Sequence, residues 1–333
     1  MQDRLAIVIP AYKDTFLDQT LQSLDRQTCT NFNVYIGDDN SPYDLEPIVR
    51  KFSDRLHITY KRFNNNLGST NLIGQWERCL QMITDETYFC LFSDDDLMGE
   101  RCVEQFYQTL NAPSCFDVYH FDIDLIDENG KQLKSCNPYP PVITTEEFLR
   151  LLYTYQIDAR MPEFIFSTQH FRESGGFINF DLAYRSDNAT VLVNARDKGI
   201  CTIPGAKVLW RDSGINISSN HNDALKSRKV YASIDFFNWL DGYYAHQPVR
   251  CPFDLQEWLL LIITDILTLD NGDSQKNMYR ALKRIKRVKK NIILYLRCKV
   301  YIRCILKKQK KRPNKIWRYL EQNSLTPYSK RQL

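Results

Sequence analysis

Short apolar runs alternate with helical stripes along the first 125 residues. Leu5–Pro10 reads as a strand, and the i, i+4, i+7 spacing of Leu17, Leu21 and Leu24 predicts a helix after it. Asn33–Gly37 predicts a second strand, Leu45–Phe52 a second helix and Leu56–Tyr60 a third strand. Leu72, Trp76, Leu80 and Ile83 place a helix over Asn71–Ile83. Thr87–Phe92 reads as a fourth strand, followed by a helix near Glu100–Leu110 and a fifth strand over Phe116–Phe121. Such alternation predicts an α/β fold with a mostly parallel, doubly wound sheet flanked by helices. Ligands then sit beyond the carboxyl ends of the strands. Pro10-Ala11-Tyr12, Asp38-Asp39 and Asp94-Asp95-Asp96 all fall at such ends.

Beyond this region, residues 125 to 145 read as a hairpin turning at Asp127-Glu128-Asn129-Gly130. A second α/β stretch runs to about 210, and after 224 the pattern is helical: Lys226–Tyr244, Leu255–Leu269 and Lys276–Arg312. The expected organisation is an α/β domain over 1–223 and a helical region over 224–333. There is no internal repeat and no Gly/Ser linker.

The net charge of +4 conceals an asymmetry: 18 Lys and Arg and no Asp or Glu lie between 274 and 320, while the first 273 residues sum to −15. Within the basic stretch Ile285, Val288, Ile292, Leu296 and Val300 recur near helical spacing. An amphipathic basic helix of this kind suits an anionic membrane surface. The alternative is a solvated helix packed on the acidic body. No RNA or DNA motif accompanies the charge, so no nucleic-acid partner is expected.

The ten cysteines form no C-x-x-C pair, which predicts buried, reduced thiols. No run approaches the roughly 18 apolar residues that cross a bilayer. The short apolar stretch before Pro10 does not read as a secretory signal. These features predict a cytoplasmic protein, peripheral at the inner face of the membrane.

The acidic triplet Asp94-Asp95-Asp96 follows the apolar run Tyr88–Phe92 closely. Adjacent carboxylates at the end of a buried strand repel one another and lose hydration unless a cation or hydrogen-bond donors compensate. A divalent cation with oxygen ligands, shared with substrate phosphates, is the simplest compensation.

Several segments in order resemble family-2 glycosyltransferases of the GT-A fold, of the bacterial cell-surface polysaccharide type. They are Ala6-Ile-Val-Ile-Pro-Ala-Tyr12, Leu21–Gln27, Val34-Tyr-Ile-Gly-Asp-Asp-Asn-Ser41, Asn66-Leu67-Gly68, Ser93-Asp-Asp-Asp96 and Gly175-Gly176-Phe177, with Asp187 about ten residues on. The likeness covers roughly residues 4 to 215.

The resemblance implies a nucleoside-diphosphate sugar as donor, a UDP-sugar by family habit, and Mn²⁺ or Mg²⁺ as cofactor. A hexosyl or N-acetylhexosaminyl group would pass to a hydroxyl of a glycan or lipid-linked acceptor. Asp39 would accept from the base, or else form an Asx turn with Ser41. Pro10, Ala11 and Tyr12 would flank the base, with Tyr12 stacking on it unless it is core. Asp14 stands where the family often has Glu, and Asn66 and Gly68 complete the nucleotide-binding set. Asp94 would contact the ribose or the metal's surroundings, and Asp95 the metal.

Asp96 would be a metal ligand or an acceptor behind it, or the cap of the next helix. The departure here is Phe92, where many members carry the first acid. Arg211, in a flexible closing loop over 210–214, would meet the leaving diphosphate, or else be a surface residue. Asp187, just before a helical stretch over Ala189–Lys198, would be the general base, or a plain helix cap. No His stands where a His metal ligand would, and His120 and His170 read as core. Nothing offers a covalent nucleophile, so inversion is implied.

The competing reading is a catalytically silent nucleotide-sugar-binding or scaffold protein on the same fold. A phosphatase would need acids after the first strand, where Ile9-Pro10-Ala11-Tyr12 stands, and a dinucleotide-binding dehydrogenase would need G-x-G-x-x-G there.

Overall fold

The computed structural model of the chain describes residues 4–112, 115–214, 223–249, 251–252 and 284–285. Contacts divide the chain into two compact units, Met1–Asn220 and His221–Leu333. Apart from Arg284 and Ile285, the predicted helices Leu255–Leu269 and Lys276–Arg312 and the basic stretch 274–320 lie outside the described residues.

In the first unit, strand β1 (Leu5–Ala11) is an interior strand of the sheet. Leu5 to Ile9 are fully buried, as both faces of a parallel strand must be when helices cover the sheet. β1 pairs in parallel with β2 (Phe32–Asp38) on one side and β4 (Tyr88–Leu91) on the other. β3 (Ile58–Arg62) adds in parallel to β2. Helix α1 (Leu17–Asp25) buries the predicted stripe Leu17, Leu21 and Leu24. A five-residue α2 (Glu46–Arg50) precedes β3. α3 (Leu72–Leu80) starts at Asn71, whose side chain accepts from the Gly74 amide at 2.9 Å. This is an N-cap that satisfies one orphan donor of the first turn.

Past β4 the topology departs from a uniform parallel sheet. The two-residue strand β5 (Leu97–Met98) and helix α4 (Cys102–Leu110) lead to β6 (Val118–Ile126). β6 runs five residues past the predicted end at Phe121, up to the expected turn. There Asp127 Oδ1 accepts from the Asn129 and Lys131 amides at 2.9 Å each, Gly130 takes φ +82°, and β7 (Gln132–Ser135) returns antiparallel to β6. β8 (Val142–Ile143), α5 (Thr145–Tyr153) and a 3-10 turn at Met161–Glu163 follow. Then comes β9 (Phe164–Ser167).

β9 inserts antiparallel between β4 and β6, so the predicted fourth and fifth strands are not neighbours. Its Phe166 stacks on Phe89 of β4 at 5.4 Å. After α6 (Thr168–Glu173) and α7 (Ser186–Asn194), the twelve-residue β10 (Ile200–Arg211) pairs in parallel with β6 and antiparallel with β5 and β8. The order is β3-β2-β1-β4-β9-β6-β10-β5, an α/β architecture with a mixed, mostly parallel sheet of GT-A type.

In the second unit the described part is mainly α8 (Asp223–Ala245), which spans the predicted Lys226–Tyr244. No helix among the described residues is long and apolar enough to cross a membrane. The described cysteines are free thiols, most of them buried.

Candidate active site

A cleft of about 690 Å³ opens at the carboxyl ends of β1, β2 and β4. The parallel register aligns Ala11 with Asp38, and the Asp39 amide donates to the Ala11 carbonyl at 2.9 Å. Pro10, Ala11, Tyr12, Asp39, Asn66, Gly68, Asp94, Asp95 and Asp187 all line this cleft. Ligand-binding clefts of open α/β sheets lie on this rim, because the loops leaving the strands converge there.

Asp39 is buried and held from several sides. Its Oδ1 accepts from the Leu67 amide and its Oδ2 from the Gly68 amide, both at 2.8 Å. The Arg78 guanidinium also bonds Oδ1, with its face 3.9 Å from the Phe63 ring centroid. A carboxylate offers about four acceptor sites, so these three donors among the described residues leave one unfilled. Gly68 permits this cradle, because a Cβ there would meet Asp39 Oδ2 at 2.6 Å. The Asx turn belongs to Asp38 instead: it accepts from the Ser41 amide at 2.7 Å, Tyr60 Oη at 2.6 Å and Arg62 at 3.1 Å. Tyr12 is 40% exposed, so it belongs to the cleft wall and not to the core.

Asp94 and Asp95 sit opposite the Tyr12 loop. Asp94 Oδ2 accepts from the amides of Tyr12 at 2.8 Å and Lys13 at 2.9 Å. Its Oδ1 lies 3.3 Å from the Lys13 ammonium, which also bonds Asp95 Oδ2 closely. Burial pulls the Lys13 ammonium down, but the two carboxylates outweigh it and hold its pKa above the usual value. Burial first, then Asp94, pushes the Asp95 carboxyl up, and Lys13 opposes the shift. Lys13 lines the cleft and gave no signal in the sequence, where a lone Lys after a strand reads as a surface residue.

Three expectations are corrected. Asp96 does not face the cleft: it is fully buried and its Oδ1 accepts from the Arg211 amide at 2.8 Å. It caps no helix either, since α4 begins after Arg101. Burial and neighbouring Asp95 raise its pKa to about 8, while its Oδ1 is turned inward to the Arg211 amide.

Arg211 is not in a closing loop but at the end of β10, with no exposed surface. Its guanidinium donates to Asp95 O at 2.8 Å, Asp127 O and Glu128 O at 3.1 Å, and Gln19 Oε1 at 2.9 Å, and it lies over Phe16. It ties the acidic triplet to the β6–β7 turn and does not reach the cleft. Asp14 is not among the residues that line the cleft; among the described residues its carboxylate accepts from the neighbouring Thr15 hydroxyl at 3.3 Å.

Asp187 sits in the first turn of α7 and faces the cleft, where it accepts from the Asn188 amide at 2.8 Å. Burial raises its pKa, against the Asn188 amide, Arg185 and Arg160. The approach to α7 is strained: Leu182, Ala183 and Arg185 take φ of +60°, +52° and +73°. Non-glycine residues hold such angles only when surrounding structure over-determines them, and they gather at functional sites.

His120 is buried as expected, its ring stacked 3.7 Å from Tyr139 and its Nε2 3.2 Å from Glu163 Oε1. His170 is only half-buried, with Nδ1 3.9 Å from Asp117.

Among the described residues no three His, Cys, Asp or Glu side chains converge as a complete protein cage for a metal. Asp94 Oδ1 and Asp95 Oδ2 nevertheless fit a Mg²⁺- or Mn²⁺-type ion. Such ions take one or two carboxylates and fill their other positions with water and substrate phosphate.

The comparisons with known proteins agree with this geometry. The family model described as "Glycosyl transferase family 2" matches residues 6–172. The chain is 43% identical over 67 residues to validoxylamine A glucosyltransferase of Streptomyces hygroscopicus subsp. limoneus, 19% of this chain and 15% of that protein. It is 28% identical over 176 residues to an uncharacterised glycosyltransferase of Haemophilus influenzae, 52% of this chain and 55% of that one. The chain thus matches about half, or less, of these relatives' lengths. S. aureus TarS 1-349 in complex with UDP-GlcNAc superposes with a TM-score of 0.64 at 15% identity, covering 86% of this chain and 82% of that one. The mannosyltransferase PcManGT of Pyrobaculum calidifontis, in complex with GDP-Man and Mn²⁺, gives 0.50 at 12% identity, covering 94% and 89%. The chain belongs to glycosyl transferase family 2 and has its GT-A fold.

Proposed function

We propose that this protein transfers a sugar from a nucleoside-diphosphate donor, with UDP favoured, to a hydroxyl of a glycan or lipid-linked glycan, with inversion. The observation that carries the reading is one cleft lined by Asp39, the Asp94–Asp95 pair and Asp187 together. Asp39 accepts a base N–H with its remaining acceptor site, and Tyr12 offers its ring to the base face. Asp94 and Asp95 would hold a Mn²⁺ or Mg²⁺ ion, which would supply positive charge to the departing diphosphate. Asp187 takes the proton from the acceptor hydroxyl as it attacks the anomeric carbon. Its raised pKa makes it a better base than a solvated carboxylate. The complexes of TarS with UDP-GlcNAc and of PcManGT with GDP-Man support a nucleotide-sugar donor here by likeness of fold.

Residues 1–223 form the transferase domain in this reading. The region 224–333 brings it to an anionic membrane surface through 274–320, where the basic residues concentrate. Liposome flotation tests this, and a protein that stays unbound to anionic vesicles at low salt contradicts it.

Asp187→Asn tests the chemistry. Nucleotide binding stays within twofold of wild type, roughly the scatter of such titrations, while turnover of a UDP-sugar panel falls by about 10²–10⁴. An asparagine variant with wild-type turnover removes Asp187 from the reaction.

A further inference from the structure

We propose that Lys13 is the internal cation of this site. Its ammonium holds the Asp94–Asp95 pair until a divalent metal arrives with a diphosphate, and then passes to the phosphate oxygens. The inference rests on the nucleotide-sugar reading and adds a gate to it.

The geometry leaves few oxygens for a metal. Asp94 Oδ2 is taken by the amides of Tyr12 and Lys13. Of the other carboxylate oxygens, Asp94 Oδ1 lies 3.3 Å from the Lys13 ammonium, and Asp95 Oδ2 is bonded by it closely. A Mg²⁺- or Mn²⁺-type ion needs direct oxygen bonds, about 2.0–2.1 Å for Mg²⁺. A metal that uses either of these two atoms must displace the ammonium from it.

Charge gives the same answer. The two carboxylates and Lys13 sum to −1, so adding a divalent ion beside the ammonium leaves +1 in a confined cleft. A diphosphate supplies the missing negative charge and a new partner for Lys13. The side chain can make this move, since it is 26% exposed and stands on the cleft wall directly after Tyr12. Metal affinity is thus coupled to nucleotide, and by linkage nucleotide affinity to metal.

The test is a Mn²⁺ titration of the full chain, read from the electron paramagnetic resonance of free Mn²⁺. It uses wild type alone, wild type with UDP, and Lys13→Met and Lys13→Gln alone, each checked for folding by circular dichroism. Wild type alone binds Mn²⁺ weakly, UDP tightens it, and either folded variant binds Mn²⁺ without UDP at least about tenfold more tightly than wild type. The proposal is overturned if folded variants bind Mn²⁺ no more tightly than wild type. It is equally overturned if wild type alone binds Mn²⁺ as well as it does with UDP, a comparison that needs no variant. Failure to bind UDP at all counts against the nucleotide reading, while the variant comparison without UDP still decides on Lys13.

Discussion

Replacing Gly68 with alanine perturbs the base end of the cleft by one methyl group. Gly68 does not need a left-handed backbone, so the substitution acts through space alone. The new Cβ lies 2.6 Å from Asp39 Oδ2, inside the 3.0 Å that real Cβ atoms respect, and Leu72 at 3.5 Å blocks little. Something must move by several tenths of an ångström. The carboxylate is gripped by the Leu67 and Gly68 amides at 2.8 Å and by Arg78, so its displacement stretches those bonds. Hydrogen bonds to a charged group contribute about 1.5–3 kcal/mol each. Losing the equivalent of one, at the place where the base must dock, weakens UDP binding by roughly 10–100-fold. Calorimetric titration with UDP and Mn²⁺ reads this, and a thermal melt confirms that the variant is folded. A folded Gly68→Ala protein with wild-type affinity would refute the idea that the Asp39 cradle reads the base.

Further outcomes follow from the buried charges. Arg211→Met breaks an inward network and strands the groups it satisfied, so stability falls by about 3–5 kcal/mol in urea unfolding. UDP affinity of the fraction that stays folded holds near wild type, and a large loss of affinity without loss of stability contradicts a structural role. The His120–Glu163 pair sets a pH signature. Burial lowers the His120 pKa to about 3 and raises that of Glu163 well above normal, so the folded pair holds one proton. The unfolded chain holds two below about pH 4.5, one up to about 6.5 and none above. This pair therefore gives a plateau of stability between those values, with losses of about 1.4 kcal/mol per pH unit on either side. His120→Phe removes the acid limb and Glu163→Gln the alkaline limb; unfolding midpoints with unchanged limbs in both variants contradict the assignment.

How far the sequence spoke for this protein depended on whether partners were local. β1, β2, β4, α1 and α4 follow from period and run length within one window, whereas α3 forms where predicted but buries Ile73, Gln75 and Cys79 instead of the Leu72, Trp76, Leu80 stripe. Strand β9 has only four residues, Phe-Ile-Phe-Ser, and its neighbours start up to 76 residues away in the chain, so its antiparallel insertion has no local mark. The same distinction runs through the site. Asp39 and Asp94–Asp95 were legible because strand ends on one rim converge. Lys13 was missed because its partners lie about eighty residues on. Asp96 and Arg211 were misplaced for a related reason. Asp94 and Asp95 both line the cleft, and only tertiary packing shows that the third carboxylate turns inward to the Arg211 amide.

The central claim is that this cleft binds a nucleoside diphosphate through Asp39 and an Asp94–Asp95 metal. The most direct measurement is a calorimetric titration of the full chain with UDP, with and without Mn²⁺, repeated on Asp95→Ala. The account predicts binding that needs Mn²⁺ and is lost in the variant. GDP or dTDP in place of UDP would change the donor and keep the site. Equal binding by wild type and Asp95→Ala, or no binding of any of the three nucleotides, would contradict it.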